Sequence, residues 1–182
     1  MSNSFRTTNS SGLINKDKKI NFTFNGTIYH GYEGDTLASA LIANGVHLVG
    51  RSFKYHRPRG FLGVGVEEPN AMVQLHDGNK SEPNIIATEV ELVEGLKAKS
   101  QNCWPSVQFD IGEINNVLNR FFPAGFYYKT FMWPKSFWMK IYEPFIRKAA
   151  GMGKAPLLPD PDRYEHNYEH CDVLVVGSGP SG

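Results

Sequence analysis

The chain has 182 residues, 41% of them hydrophobic and 20% charged, with a formal charge of +1. That balance is ordinary for a globular protein and gives no general reason to expect nucleic acid or an anionic membrane as a partner. Two cysteines are too few for a disulfide-stapled secreted domain and suit a reducing cytosol, the polar start lacks the apolar core of a signal peptide, and no run approaches a membrane span.

Residues 1–17, rich in serine and asparagine near their start, are expected to form a disordered tail. Residues 19–24 alternate as a strand does. Asn25-Gly26 is a strong two-residue hairpin signal, because both residues tolerate positive φ, and residues 27–32 supply the return strand. Asp35 is the expected N-cap of a helix over 36–44, and Gly45 its expected C′ residue. Leu37, Ala40 and Leu41 recur at helical spacing and should face the hairpin. Residues 46–49 read as a strand, residues 71–75 as another ended by Asp77-Gly78, and residues 85–93 as one or two short strands. A hairpin, a helix and then further strands is the order of a β-grasp domain, placed over residues 18–97.

Residues 98–170 read as a helical connector and linker. Of the 23 aromatic residues, 11 lie between Phe121 and Phe145. Asp110 is placed to cap a helix running to Arg120, and Pro134 suits the first turn of another over 135–149. Pro144 should kink or split that second helix. The prolines and Tyr127-Tyr128-Lys129 spoil a clean membrane-binding face. The aromatics are therefore expected to cover an enzyme body or a partner subunit, leaving the chain sticky in isolation. Residues 151–170, without any period, read as a linker. Within it and just beyond, His166, His170 and Cys171 are metal-like residue types without the H-E-x-x-H order, so zinc is disfavoured. Cys103 beside Trp104 reads as a small packed residue rather than a nucleophile.

The last segment, residues 171–182, is the most suggestive. Val173 to Val176 suits a strand covered on both faces. Gly177, Gly179 and Gly182 then fit G-x-G-x-x-G, the turn that brings backbone N–H groups close to a pyrophosphate at a helix N-terminus. The helix, the second strand and the ribose-binding acid of such a unit are not in the chain. It is accordingly expected to be the N-terminal piece of a longer dinucleotide-binding polypeptide, with NAD and FAD not distinguished by the turn. The piece alone is expected to bind NAD hardly at all, because amides without the helix behind them lack its organised field.

The densest charge cluster is Arg51-Ser-Phe-Lys54-Tyr55-His56-Arg57-Pro58-Arg59-Gly60. It reads first as a structured loop whose arginines bond backbone carbonyls and carboxylates such as Glu67 and Glu68. The sharper alternative is an anion or partner site. Nucleic acid is disfavoured because the flanking segments carry no further basic stripe.

This loop, together with residues 65–71, 100–106, 124–134, 159–166 and 171–182, resembles the N-terminal part of sarcosine oxidase alpha subunits. Related amine- and opine-oxidising flavoenzymes share the domain, and the resemblance spans about residues 18–182. It implies an α+β fold: a ferredoxin-like β-grasp domain, an aromatic helical connector, and the first strand of a truncated Rossmann domain. It also implies an oxidoreductase of the cytoplasm that demethylates sarcosine to glycine, makes hydrogen peroxide and delivers the one-carbon unit to tetrahydrofolate. NAD would sit on the alpha subunit, with FAD, FMN and tetrahydrofolate elsewhere in a complex with beta, gamma and delta subunits. In relatives the loop after the basic segment carries the cysteines of a two-iron, two-sulfur cluster. Here Leu62, Gly63, Val64 and Ala71 stand in that region, so no iron–sulfur cluster and no catalytic residue is expected in this chain. The rivals are an opine or cyanide-forming glycine dehydrogenase subunit, and a non-enzymatic β-grasp interaction module.

Overall fold

The computed structural model describes residues 5–6, 14–121, 131, 133–149, 153 and 156–176. Two long strands open it, β1 (Asn15–Phe24) and β2 (Thr27–Glu33), joined by Asn25 and Gly26 at φ 51° and 81°. Those positive values give the turn the twist that matches an antiparallel pair. Ile20, Phe22 and Phe24 point inward from β1 at every second position, as the pleat requires. The helix α1 (Leu37–Ala43) follows and buries Leu37, Ala40 and Leu41 completely against the sheet. Its C-terminal turn ends on Gly45 at φ 77°.

Its N-terminus differs from expectation. Thr36, not Asp35, is the N-cap: the Thr36 hydroxyl accepts from Ser39 N and the Ser39 hydroxyl from Thr36 N, a reciprocal capping box. Asp35 is drawn elsewhere. Only 1% exposed, it accepts two bonds from the Arg6 guanidinium at 3.0 and 2.6 Å, one from Tyr32 N and one from the Ser39 hydroxyl. Phe5 N donates to Ala43 O, and the Phe5 ring meets His47 edge-on. The expected disordered tail over 1–17 is thus corrected at Phe5 and Arg6, which are seated on the domain, and at Asn15, where β1 begins.

Residues 46–49 do not form the expected strand. They run as coil into the core, where Val49 is fully buried. The short pair β3 (Gly50–Arg51) and β4 (Pro58–Arg59) follows, then β5 (Met72–Leu75), β6 (Glu82–Ile86) and β7 (Lys97–Ser100). The main sheet has the order β2-β1-β7-β5-β6, with β7 parallel to β1 and antiparallel to β5. β7 was not anticipated, and it moves the end of the sheet beyond residue 97. It fills the slot between β1 and β5, and one buried side chain, Ala98, is its contribution to the core. The core itself is Phe22, Phe24, Leu37, Leu41, Val49, Val73 and Leu92 around the helix–sheet contact.

Beyond the sheet, Asp110 caps a turn as expected, accepting from Gly112 N. The helix it starts is broken, however, into a 3-10 turn at Ile111–Glu113, α2 (Ile114–Val117) and a second 3-10 turn at Asn119–Phe121. Pro134 caps a 3-10 turn at Lys135–Phe137, which leads through a π-helical stretch at Trp138–Tyr142 into α3 (Glu143–Ala149). The change of winding falls at Pro144, which has no N–H to donate back into the preceding turn. Among the described residues no helix is long and apolar enough to cross a membrane.

Candidate functional site

The basic loop is built around an inward-pointing arginine. Ser52 and His56 close a tight turn between β3 and β4, with His56 N donating to Ser52 O and His56 held at φ 52°. The Arg51 side chain, 3% exposed, donates through Nε to Val107 O at 2.8 Å. Its Nη1 donates to His56 O at 3.0 Å and Glu113 Oε2 at 3.1 Å, and its Nη2 to Gln108 O at 3.2 Å. A planar five-donor fork suits such a set of acceptors. Beside it, His56 Nδ1 lies 2.5 Å from Asp110 Oδ2, and Asp110 Oδ1 accepts from Trp104 N and Gly112 N. Arg51 and Asp110 together fasten residues 102–113 onto the loop.

The first reading of the loop is therefore right about carbonyls and wrong about which carboxylates. Arg51 reaches Glu113. Outside this node, Arg57 donates to Asn116 Oδ1 at 2.8 Å, and Arg57 and Lys54 both lie over the Tyr55 ring.

Glu67 and Glu68 serve the next loop instead. Glu68 Oε2 accepts from Leu62 N at 2.6 Å and Gly63 N at 2.5 Å, while Oε1 accepts from Asn70 N at 2.7 Å and Ala71 N at 3.2 Å. Glu67 Oε1 accepts from Val64 N and Gly65 N, and the Thr88 hydroxyl donates to Gly65 O. Burial pushes the Glu68 carboxyl up, but its four backbone donors more than offset that and hold it below the usual carboxylate range. With the amides turned in, Leu62, Val64 and Val66 face solvent.

The remaining candidates are dispersed. Burial, with the Asp110 charge behind it, pushes the Cys103 thiol up, which keeps it protonated and inert. His166, His170 and Cys171 are exposed, and among the described residues no group of three or more potential ligands could hold a metal ion. Val173 to Val176, the expected first strand of a dinucleotide-binding sheet, pair with nothing among the described residues and are 64–86% exposed. A parallel strand is stable only between neighbours and under helices, and no described element supplies either. Gly177, Gly179 and Gly182 lie outside the described residues. Between residues 131 and 145 the described aromatics Trp133, Phe137, Trp138 and Phe145 are exposed, and Phe131 and Tyr142 are half-buried.

Mixed sheet, single packed helix and glycine-rich loop together define a ferredoxin-like domain, and residues 17–103 match the family model of a 2Fe-2S iron-sulfur cluster binding domain. Over 171 residues, 94% of its length, the chain is 60% identical to sarcosine oxidase subunit alpha of Rhizobium meliloti (strain 1021). It is 30% and 29% identical over 172 residues to the same subunit of Corynebacterium sp. strains U-96 and P-1. The chain is thus similar to sarcosine oxidase alpha subunits along most of its length. It spans 17% of the length of the first relative and 13% of each of the others. The superposition on L-proline dehydrogenase from P. horikoshii is slight, with a TM-score of 0.36 at 24% identity over 49% of this chain and 16% of that one.

The residues present do not fit the cluster that the domain family is named for. A two-iron, two-sulfur centre takes four thiolates. This chain has two cysteines, one partly buried with a raised thiol and one exposed in the far segment, and residues 61–71 contain none.

Proposed function

We propose that this chain is the N-terminal part of a sarcosine oxidase alpha subunit, and that its ferredoxin-like domain is a structural module without redox chemistry of its own. The 60% identity over 94% of the chain carries this reading. The whole protein, with beta, gamma and delta subunits, would oxidatively demethylate sarcosine to glycine. It would release hydrogen peroxide and pass the one-carbon unit to tetrahydrofolate, using FAD and FMN in the complex. Residues 171–182 would open a Rossmann domain. Gly177, Gly179 and Gly182 would then form the turn under the NAD pyrophosphate, where small residues let amides approach the phosphates. Two observations agree with a covered surface in the assembly: the exposed aromatics of the connector, and the four exposed apolar residues Val173 to Val176. Aromatic residues are the side chains that dominate such contacts.

The test is to tag the native protein that contains this chain and purify it from its own cells. Sarcosine-dependent peroxide production, with NAD released on denaturation, is the expected result. A purified complex that oxidises an opine, or that turns over no amine at all, would overturn it.

A further inference from the structure

Residues 62–71 turn six backbone N–H groups onto two carboxylates of the same loop. Concave sets of amides of this kind bind phosphates and iron–sulfur centres in other proteins, because the aligned N–H dipoles favour negative charge. Here the concavity lies in a segment matched by a cluster-binding family, yet it has no thiol to hold a cluster. It is not vacant. Glu68, 3% exposed, fills it, and its two oxygens take their donors from opposite ends of the loop: Leu62 and Gly63 on one side, Asn70 and Ala71 on the other. A single side chain thus closes the loop from within.

We propose that Glu68 is a built-in anion of this amide nest, and that the nest it leaves on removal accepts a small carboxylate from solution. Four charge-assisted bonds from the two ends of the loop make the carboxylate its organising centre, in the way a bound anion would be. The two methylenes of the glutamate position that carboxylate. Truncation to alanine keeps Cβ and removes Cγ together with the carboxylate, leaving space of the size of acetate and more than enough for formate. This inference rests on the loop geometry and the domain match, and is independent of the oxidase reading.

Amide hydrogen exchange resolved by NMR on the full chain tests it. In Glu68→Ala the amides of Leu62, Gly63, Asn70 and Ala71 should exchange at least about tenfold faster, while those of β1 and β7 keep their protection. Acetate or formate should restore the four amides, and sodium chloride at equal ionic strength should not. Should Glu68→Ala fail to fold, Glu68→Gln is read instead. Its amide has one acceptor oxygen, so one pair of the four amides should lose protection and the other keep it. Four amides equally protected in either variant would sink the proposal, as would an alanine variant that acetate, formate and chloride leave equally exposed.

Discussion

Replacing Arg51 by methionine should lower the stability of the domain by about 3 kcal/mol, worked from its four acceptors as follows. The Glu113 partner is 48% exposed, so that ion pair is screened and contributes at most about 1 kcal/mol. The contact to Gln108 O, at 3.2 Å, is the longest. Val107 O and His56 O, at 2.8 and 3.0 Å, are the two short bonds to carbonyls. Hydrogen bonds to a charged donor contribute roughly 1.5–3 kcal/mol each, and the methionine stem recovers part of the loss by packing and by removing a buried charge. Lysine keeps the charge but offers a single ammonium, which cannot reach three separated carbonyls at once. Arg51→Lys should therefore cost about 2 kcal/mol. Urea unfolding followed by tryptophan fluorescence measures both, with the slope held as a check on two-state behaviour. If methionine shifts stability by less than about 1 kcal/mol, or lysine serves as well as arginine, the clamp is not what Arg51 provides. A stabilised methionine variant would instead favour the ligand-binding reading of the loop, because binding residues are commonly held at a cost to stability.

Two further outcomes follow from the same geometry. A methyl group added at Gly112 would overlap the His56 ring. Gly112→Ala should separate His56 from Asp110 and cost about 2 kcal/mol as an overpacking change; a thermal midpoint within error of the parent would contradict this. The carboxyls of Glu67, Glu68 and Glu94 are all held below the usual value of 4.5, Glu67 by backbone donors, Glu68 by backbone donors against burial, and Glu94 by the amide and side chain of Asn21. A depressed folded value adds stability that is fully present above the unfolded value and is lost as pH falls through the folded one. Unfolding midpoints should accordingly hold down to about pH 5 and decline below about pH 4.5. Stability that rises from pH 5 to pH 3 would reverse the sign.

What was legible in the chain was local. Asn25 and Gly26 announce their hairpin because the turn's positive φ values depend on those two residues alone. The helix 37–43 announces itself by the spacing of Leu37, Ala40 and Leu41, and Asp110 by its place before the turn it caps. The features missed are set by partners distant in sequence. Lys97-Ala-Lys-Ser has no β-branched residue and one buried side chain, and becomes the central strand only because β1 and β5 leave a slot for it. Asp35 looked like a cap, but its carboxylate is taken by Arg6 from 29 positions away, together with Tyr32 N and the Ser39 hydroxyl. Glu67 and Glu68 looked like partners for the arginines nearby. A carboxylate within a few residues of glycine-rich backbone meets those amides first, at little cost in chain entropy, and the guanidinium then finds carbonyls more than 50 positions on.

The same preference bears on what the domain can do. Its buried charges are closed in on themselves: Arg51 on carbonyls, Glu68 on amides, Asp35 on a guanidinium, a hydroxyl and an amide, Asp110 on a histidine and two amides. Among the described residues no buried side-chain nitrogen or oxygen lacks a hydrogen-bond partner. Groups that work on a substrate are held partly unsatisfied or with their titration shifted toward the working pH. Here the one thiol near the node is pushed the wrong way for a nucleophile, and the shifted carboxyls move away from neutrality. What the module presents outward is apolar instead: Leu62, Val64 and Val66 on a loop held rigid from inside, and the aromatics of the connector. A ferredoxin-like frame with its polar interior internally paired and its apolar residues turned out is built to be packed against.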